Sequence, residues 1–342
     1  MTAPSVSVVM PVRDAASTLP AAISSLQGQT HREIEIVIVD HRSTDRSSEI
    51  VRQAARSDSR IRVFAHAGTF VEAANLAWQE SNGDLIARMD SDDVAHPDRI
   101  AEQVRFMTHH PEIAACGTQV KILKRGPDNS PLPPDQGYRH YESWVNSITT
   151  PEDIFAQRFI DSPIPNPTAM IRRPVMESLG GYQDPEWAED YDFWLRLLEA
   201  GHRIGKVELP LLEWFDSDTR ATRSKPRYAL PRFQAAKAFY LSRLPIVQKL
   251  GVTICGAGPI GKEMASLLRA RGIHVHAFIE VNEKQIGNEI SGVPVLNLDA
   301  LNQLAGDTVI MAAVGQKGAR ERIRGLLQAY PLQEGKDFFC VA

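Results

Sequence analysis

The hydrophobic positions early in the chain come in short solid runs separated by longer amphipathic stretches. Val6–Met10 and Ile34–Val39 are almost continuously apolar, which suits parallel strands buried on both faces. Arg62–Ala65 and Leu85–Met89 read as two more strands. Between the strands, Thr18–Gln27, the stretch ending near Ser57, and Val71–Gln79 space their apolar residues as helices do. Strand alternating with helix predicts an α/β fold with a doubly wound sheet. Ligands of such sheets lie beyond the carboxyl ends of the strands. Two of those ends are acidic: Asp40 follows the second strand, and Asp90, Asp92 and Asp93 follow the fourth.

A second α/β pattern occupies residues 250–342. Val252–Cys255 is a strand, Gly256, Gly258 and Gly261 open a helix, and Val275–Ile279 is a strand ending at Glu280. Glu280 stands where an acid meets a ribose hydroxyl in dinucleotide-binding units. The order predicts a small Rossmann-like α/β domain. Its glycines either bind a nucleotide or dinucleotide together with Glu280, or serve tight packing and formation of a homodimer. No hydride-transfer constellation accompanies them, which disfavours an oxidoreductase. Residues 220–249 form a basic helical linker, with no acidic residue between Asp218 and Glu263. Tyr228–Leu244 is its helix, either a solvated closing element or a face for phosphate on a donor or on a lipid-linked acceptor at a membrane.

Composition narrows the classes. A chain of 342 residues suits about two domains. A net charge of -4 with 23% charged residues argues against a nucleic-acid partner. Cys116, Cys255 and Cys340 are too scattered for a zinc site or a disulfide framework, so a reducing cytoplasm is expected. No stretch approaches the ~20 apolar residues that span a bilayer, so any contact with the inner membrane face would be peripheral.

Three carboxylates in the four residues Asp90-Ser91-Asp92-Asp93 repel one another and need a positive partner. A divalent metal carrying a diphosphate fits, and the alternative is a polar turn capping the helix near Pro97. A second acidic site opens the helix after Trp187. Asp192, Arg196 and Glu199 share one face, expected to be solvated and salt-paired, whereas Asp190 lies about 200° from Asp192 and points inward. Helix capping by Glu189 and Asp190 is the plain reason for acids there, worth about 0.3–1 kcal/mol.

The run Val-Ser-Val-Val-Met-Pro-Val-Arg13, then Gln29-Thr30, Ile-Val-Ile-Val-Asp40 with Ser43-Thr44-Asp45, and Gly83-Asp84 leading to Met89-Asp-Ser-Asp-Asp93 resembles a family-2 glycosyltransferase of the GT-A fold. The likeness covers residues 1–219 and implies a GT-A type mixed sheet. It implies that Pro11, Val12 and Arg13 lie along the nucleotide, that Asp40 and His41 meet the base and ribose, and that Arg88 and Asp90 contact the donor. Asp90 and Asp92 would hold Mn²⁺ or Mg²⁺, ions that prefer carboxylate oxygens, with Asp93 behind them. Asp190 would be the general base, with Glu189 as the alternative.

Three positions depart from the family pattern. His41 replaces a common second Asp, Asn166 stands where His is frequent, and no His follows Leu211–Trp214, leaving Asp216, Asp218 or water as a third metal contact. The irregular stretch from Cys116 to Asn146, rich in Pro and Gly, is assigned to the acceptor side. The implied activity is inverting, metal-dependent transfer from a nucleotide sugar to a hydroxyl of a saccharide or lipid-linked acceptor. The competing reading is a catalytically weak regulator that binds nucleotide sugar.

Overall fold

The computed structural model describes residues 4–126, 130–217, 220, 223, 225–316 and 318–342. They fall into two compact units. One comprises Met1–Ile154, Pro163–Pro185 and Glu189–Ser224; the other comprises Phe155–Ser162, Glu186–Ala188 and Lys225–Ala342.

The first unit is built on a nine-stranded mixed sheet. Its strands are β1 Val6–Val12, β2 Ile34–His41, β3 Ile61–His66, β4 Leu85–Arg88, β5 Val94–Ala95, β6 Ile113–Arg125, β7 Pro131–Leu132, β8 Met170–Arg172 and β9 Arg203–Asp216. They run in the order β3-β2-β1-β4-β8-β6-β9-β5, with β7 beside β6. β1 is parallel to β2 and β4, and β6 to β9, whereas β8 is antiparallel to both β4 and β6.

The solid apolar runs of β1 and β2 serve two cores at once. Val8, Met10, Ile36 and Ile38 pack with Leu19, Ile23 and Leu26 of the helix Leu19–Gln27. Their neighbours Val9, Val37 and Val39 point to the opposite face and pack with Val71, Ala74 and Trp78 of the helix Phe70–Gln79. That helix begins where its sequence says it should: Thr69 and Glu72 form a reciprocal capping box. Gly83 lets β4 come in beside β1, because a Cβ there would sit 2.5 Å from the Ser7 nitrogen. With β2 and β4 on either side of β1, the strand order reverses at β1, and the carboxyl ends of these three strands share one edge.

The stretch from Cys116 to Asn146 is not the irregular segment expected. It contains most of β6 and the helix Gln136–Ser147. The closely spaced Pro131, Pro133 and Pro134 hid the alternation of Val120 and Ile122, which are buried, with Lys121, which is exposed. The helix supplies side chains to the strand: Glu142 Oε2 accepts from the Ile122 nitrogen at 2.9 Å, and the Asn146 amide bonds the Val120 nitrogen and oxygen at 2.9 and 2.8 Å.

The second unit holds a six-stranded sheet of β10 Val252–Cys255, β11 Val275–Ile279, β12 Glu289–Ile290, β13 Val293–Leu296, β14 Val309–Ala312 and β15 Phe338–Cys340. The order is β12-β13-β11-β10-β14-β15, parallel throughout except for β12. Phe155–Ser162 belongs here because its groups are met by this unit. Phe159 stacks edge-on to Phe339 at 5.5 Å, and Lys237 Nζ donates to the Ile160 and Val341 carbonyls at 2.7 and 3.0 Å.

Several charges of the basic run from Arg220 onward are answered within the fold, while Lys225, Arg243 and Lys249 stay exposed. Lys237, on the helix Leu230–Arg243, is 4% exposed; Arg232 pairs with Glu186; Arg220 and Arg223 pair with carboxylates of the first unit. The helical pattern showed where the apolar residues lay but not which carbonyls and carboxylates would fold against the charges. Among the described residues no helix is long and apolar enough to cross a membrane.

Candidate active site

At the end of β4 the chain turns sharply, and Asp90, Asp92 and Asp93 place carboxylate oxygens within 4.8 Å of one another. Asp93 is fully buried and accepts from the Phe215 nitrogen at 2.9 Å. Arg88, buried at the end of β4, donates from Nη2 to Asp90 at 2.9 Å and from Nη1 to the Val9 carbonyl at 3.3 Å. Arg99, also buried, donates to the Arg88 carbonyl at 2.7 Å and braces the turn from below. Arg125 Nη2 donates to the Asp92 carbonyl at 2.6 Å.

The positive partner that the triad requires comes from far along the chain. Arg220 lies across all three carboxylates, with Nη2 3.1 Å from Asp90 Oδ2, and Nη1 3.1 Å from Asp92 Oδ2 and 3.0 Å from Asp93 Oδ1. It also donates to the Phe215 carbonyl at 2.8 Å and covers the Trp214 ring at 4.6 Å. Burial opposes the guanidinium charge, but Asp92, Asp93 and Asp90 outweigh it and hold the pKa above its ordinary value. Asp93 is pushed up to about 8, by burial first and then by Asp92, against the pull of Arg220. Arg220 was overlooked in the sequence. The signal was available in a three-carboxylate cluster and an uncompensated basic run, with nothing to say that they meet.

The donor set fits a hard divalent ion: hard oxygens converge from one turn, and a guanidinium already stands in as the cation. Asp216, a candidate third contact, is fully buried and held by Arg223, which also bonds Asp135 at 2.9 Å. Asp218 lies outside the described residues.

Along the same edge, Pro11 and Val12 end β1 as buried residues, with Arg13 exposed beyond them. Asp40, at the end of β2, accepts from the Ser43 nitrogen at 3.3 Å and from the Ser48 hydroxyl. His41 is 4% exposed rather than a surface loop residue, and its ring meets Phe70 edge-on at 5.9 Å. Burial and then Arg13 depress its pKa to about 4, against the pull of Asp40, so the ring is neutral at pH 7. Its Nδ1 is buried without a hydrogen-bond partner among the described residues.

The helix Glu189–Glu199 brings the second acidic group to this edge. Asp190 is half-buried, and its carboxyl is pushed up to about 7 by burial, by Glu189 and, more weakly, by Asp90. Trp194 and Leu197 of the same helix are fully buried in the core. Asp192 departs from expectation, being 4% exposed. It pairs with Arg196 Nε at 2.7 Å, and Arg196 in turn donates to the Leu179 and Gly181 carbonyls at 2.9 Å each. Those carbonyls let an i,i+4 ion pair be buried on a face that helical spacing alone marks as solvated. Tyr182, buried beside Arg88, donates from its hydroxyl to Asn166 Oδ1 at 3.1 Å, and the amide of Asn166 does not titrate as a histidine would.

In the second unit Glu280 Oε2 accepts from the Ala257 nitrogen at 2.9 Å, and Oε1 accepts from the Val281 and Asn282 nitrogens at 2.8 and 3.2 Å. These bonds hold its pKa below the ordinary value despite burial. A Cβ on Gly261 would collide with the Gly256 carbonyl, whereas one on Gly258 would meet open space.

Residues 7–180 match the model of glycosyl transferase family 2, and the chain belongs to that family. Among its relatives is EpsE of Bacillus subtilis (strain 168), which carries a glycosyltransferase name and is 30% identical over 210 residues, covering 58% of this chain and 69% of EpsE. The O-antigen biosynthesis glycosyltransferase WbnJ of Escherichia coli is 27% identical over 213 residues, covering 61% of this chain and 74% of WbnJ. The fold is that of GT-A enzymes. S. aureus TarS in complex with UDP-GlcNAc superposes with a TM-score of 0.54 at 19% identity, covering 70% of this chain and 67% of that one. The mannosyltransferase PcManGT of Pyrobaculum calidifontis, solved with GDP-Man and Mn²⁺, gives 0.50 at 17% identity, covering 71% and 63%.

Proposed function

We propose that the chain is an inverting, metal-dependent glycosyltransferase that moves a sugar from a nucleotide sugar to a hydroxyl of a saccharide acceptor in polysaccharide or glycoconjugate synthesis. The observation that carries this reading is a cation-holding triad at the switch-point edge with a carboxyl poised near neutrality at the same edge. Asp90 and Asp92 are assigned to the metal, with Asp93 buried beside them. A bound Mn²⁺ or Mg²⁺ would supply Lewis-acid neutralisation of the departing diphosphate. Arg13, Asp40 and the neutral His41 are assigned to the nucleoside, and Arg88 fixes Asp90.

Asp190 is assigned the proton. The acceptor oxygen forms its bond to the anomeric carbon as the bond to the diphosphate oxygen breaks, and Asp190 takes the hydroxyl proton. The family relatives named for glycosyl transfer and for O-antigen biosynthesis support this class. A regulator that only bound nucleotide sugar would have use for the triad but none for Asp190. The test is release of nucleoside diphosphate from a panel of UDP- and GDP-sugars with Mn²⁺ or Mg²⁺. One donor is expected to turn over, and chelation should abolish it. Turnover undiminished by chelator would remove the metal from the proposal.

The same reading extends to the second unit as a Rossmann-like domain that binds a nucleotide against the Gly256–Gly261 loop. The strand, glycine loop, helix and acid in succession support it, as does the open space over Gly258. Calorimetry with mono- and dinucleotides should give one binder that Gly258→Val weakens. Silence across that panel would leave Gly256 and Gly261 their packing role alone.

A further inference from the structure

Arg220 contacts the triad through four hydrogen bonds, from Nη2 to Asp90 and Asp93 and from Nη1 to Asp92 and Asp93, all between 3.0 and 3.2 Å. The Phe215 carbonyl and the Trp214 ring hold the guanidinium in that position, where its side chain is 7% exposed. This is the geometry of a built contact, unlike a surface arginine that meets one acid in passing. The carboxylate oxygens it engages are those that a divalent ion would need. An Mg²⁺-sized ion requires its oxygens at about 2.0–2.1 Å with lone pairs aimed at the metal. Lone pairs aimed at Nη1 and Nη2 are turned elsewhere, and a guanidinium directly beside a dication repels it through a medium that screens poorly.

We infer that Arg220 and the divalent ion are alternative occupants of the triad, so that Arg220 is the resident counter-ion of the metal-free protein and metal enters only as the guanidinium withdraws. The inference rests on the reading of Asp90, Asp92 and Asp93 as the metal site. The exchange keeps three adjacent carboxylates compensated before metal arrives. It also makes the metal-free protein a weak binder of metal alone. A diphosphate arriving with the ion changes the balance, because its oxygens offer the displaced guanidinium a planar bidentate partner. Metal and donor then bind with positive coupling, each raising the affinity for the other.

The measurement is Mn²⁺ binding to the intact chain without nucleotide, followed by electron paramagnetic resonance of free Mn²⁺, for wild type, Arg220→Gln and Arg220→Lys. Arg220→Gln should bind Mn²⁺ at least about tenfold more tightly than wild type, and Mn²⁺ should raise its Tm further. Arg220→Lys keeps a charge without the fork that spans three carboxylates, so it should gain affinity by a smaller factor, and it carries the test if the glutamine variant does not fold. Equal Mn²⁺ affinity in wild type and both variants would overturn the exchange while leaving the metal site standing. Absence of Mn²⁺ binding in all three would overturn the exchange and the metal reading together.

Discussion

Asp190→Asn will keep donor and Mn²⁺ bound and will lose sugar transfer by roughly 10²–10⁴-fold, the usual contribution of a positioned general base. The substitution preserves the side chain's volume and its place on the first turn of the helix Glu189–Glu199, so the fold should persist. What it removes is a proton acceptor that its surroundings have tuned. Burial disfavours the Asp190 charge, Glu189 disfavours it again, and Asp90 adds to both, taking the carboxyl to about 7. A base must be deprotonated to act. Activity of the wild type should therefore rise with pH through about 7 and fall below it, an acid limb that Asp190→Asn lacks. Glu189→Gln supplies a second check with an independent sign. Removing the neighbouring negative charge lowers the Asp190 pKa and moves the acid limb to lower pH. Steady-state rates against pH for the three proteins, with donor binding measured beside them, would decide it. Full transfer by Asp190→Asn would take this residue out of the mechanism.

The part of this site that could be read in the sequence is the part that local order controls. Continuous Ile and Val in β2 required burial on both faces, and the two cores on either side of the sheet meet that requirement. A strand ending in three acids required a cation. What the sequence hid was the identity of partners brought together by the fold. Arg220 stands 130 residues from Asp90, and no periodicity links them. Helical spacing put Asp192 and Arg196 on one face but could not reveal the Leu179 and Gly181 carbonyls that make burying that pair affordable. Likewise the segment Phe155–Ser162 has an unremarkable sequence. Its membership of the second unit depends on Lys237 reaching the Ile160 carbonyl and on Phe159 meeting Phe339. Local pattern shows where polar and apolar groups lie along an element, while the tertiary structure decides which charges are answered.

Asp92→Asn should cost transfer about a hundredfold or more, near 3 kcal/mol at 1.4 kcal/mol per tenfold, through lost metal affinity. Of the three acids this one separates chemistry from fold most cleanly. Asp93 is fully buried and holds the Phe215 nitrogen, so changing it would disturb β9. Asp90 is tied to the buried Arg88, which would be left uncompensated. The Asp92 side chain is 29% exposed and meets the Nη1 of Arg220, which keeps Asp90 and Asp93 as partners after the change. Asparagine retains one oxygen for the ion but removes a full negative charge. Mn²⁺ affinity should therefore fall and part of the activity should return at higher Mn²⁺, a recovery that Asp190→Asn would not show. The two variants thus fail in different ways: one lacks the cation that accepts the leaving group's charge, the other lacks the group that accepts the proton. If Asp92→Asn turned over at the wild-type rate without added metal, the triad would belong to Arg220 alone, and the guanidinium would have to supply the positive charge that the leaving diphosphate needs.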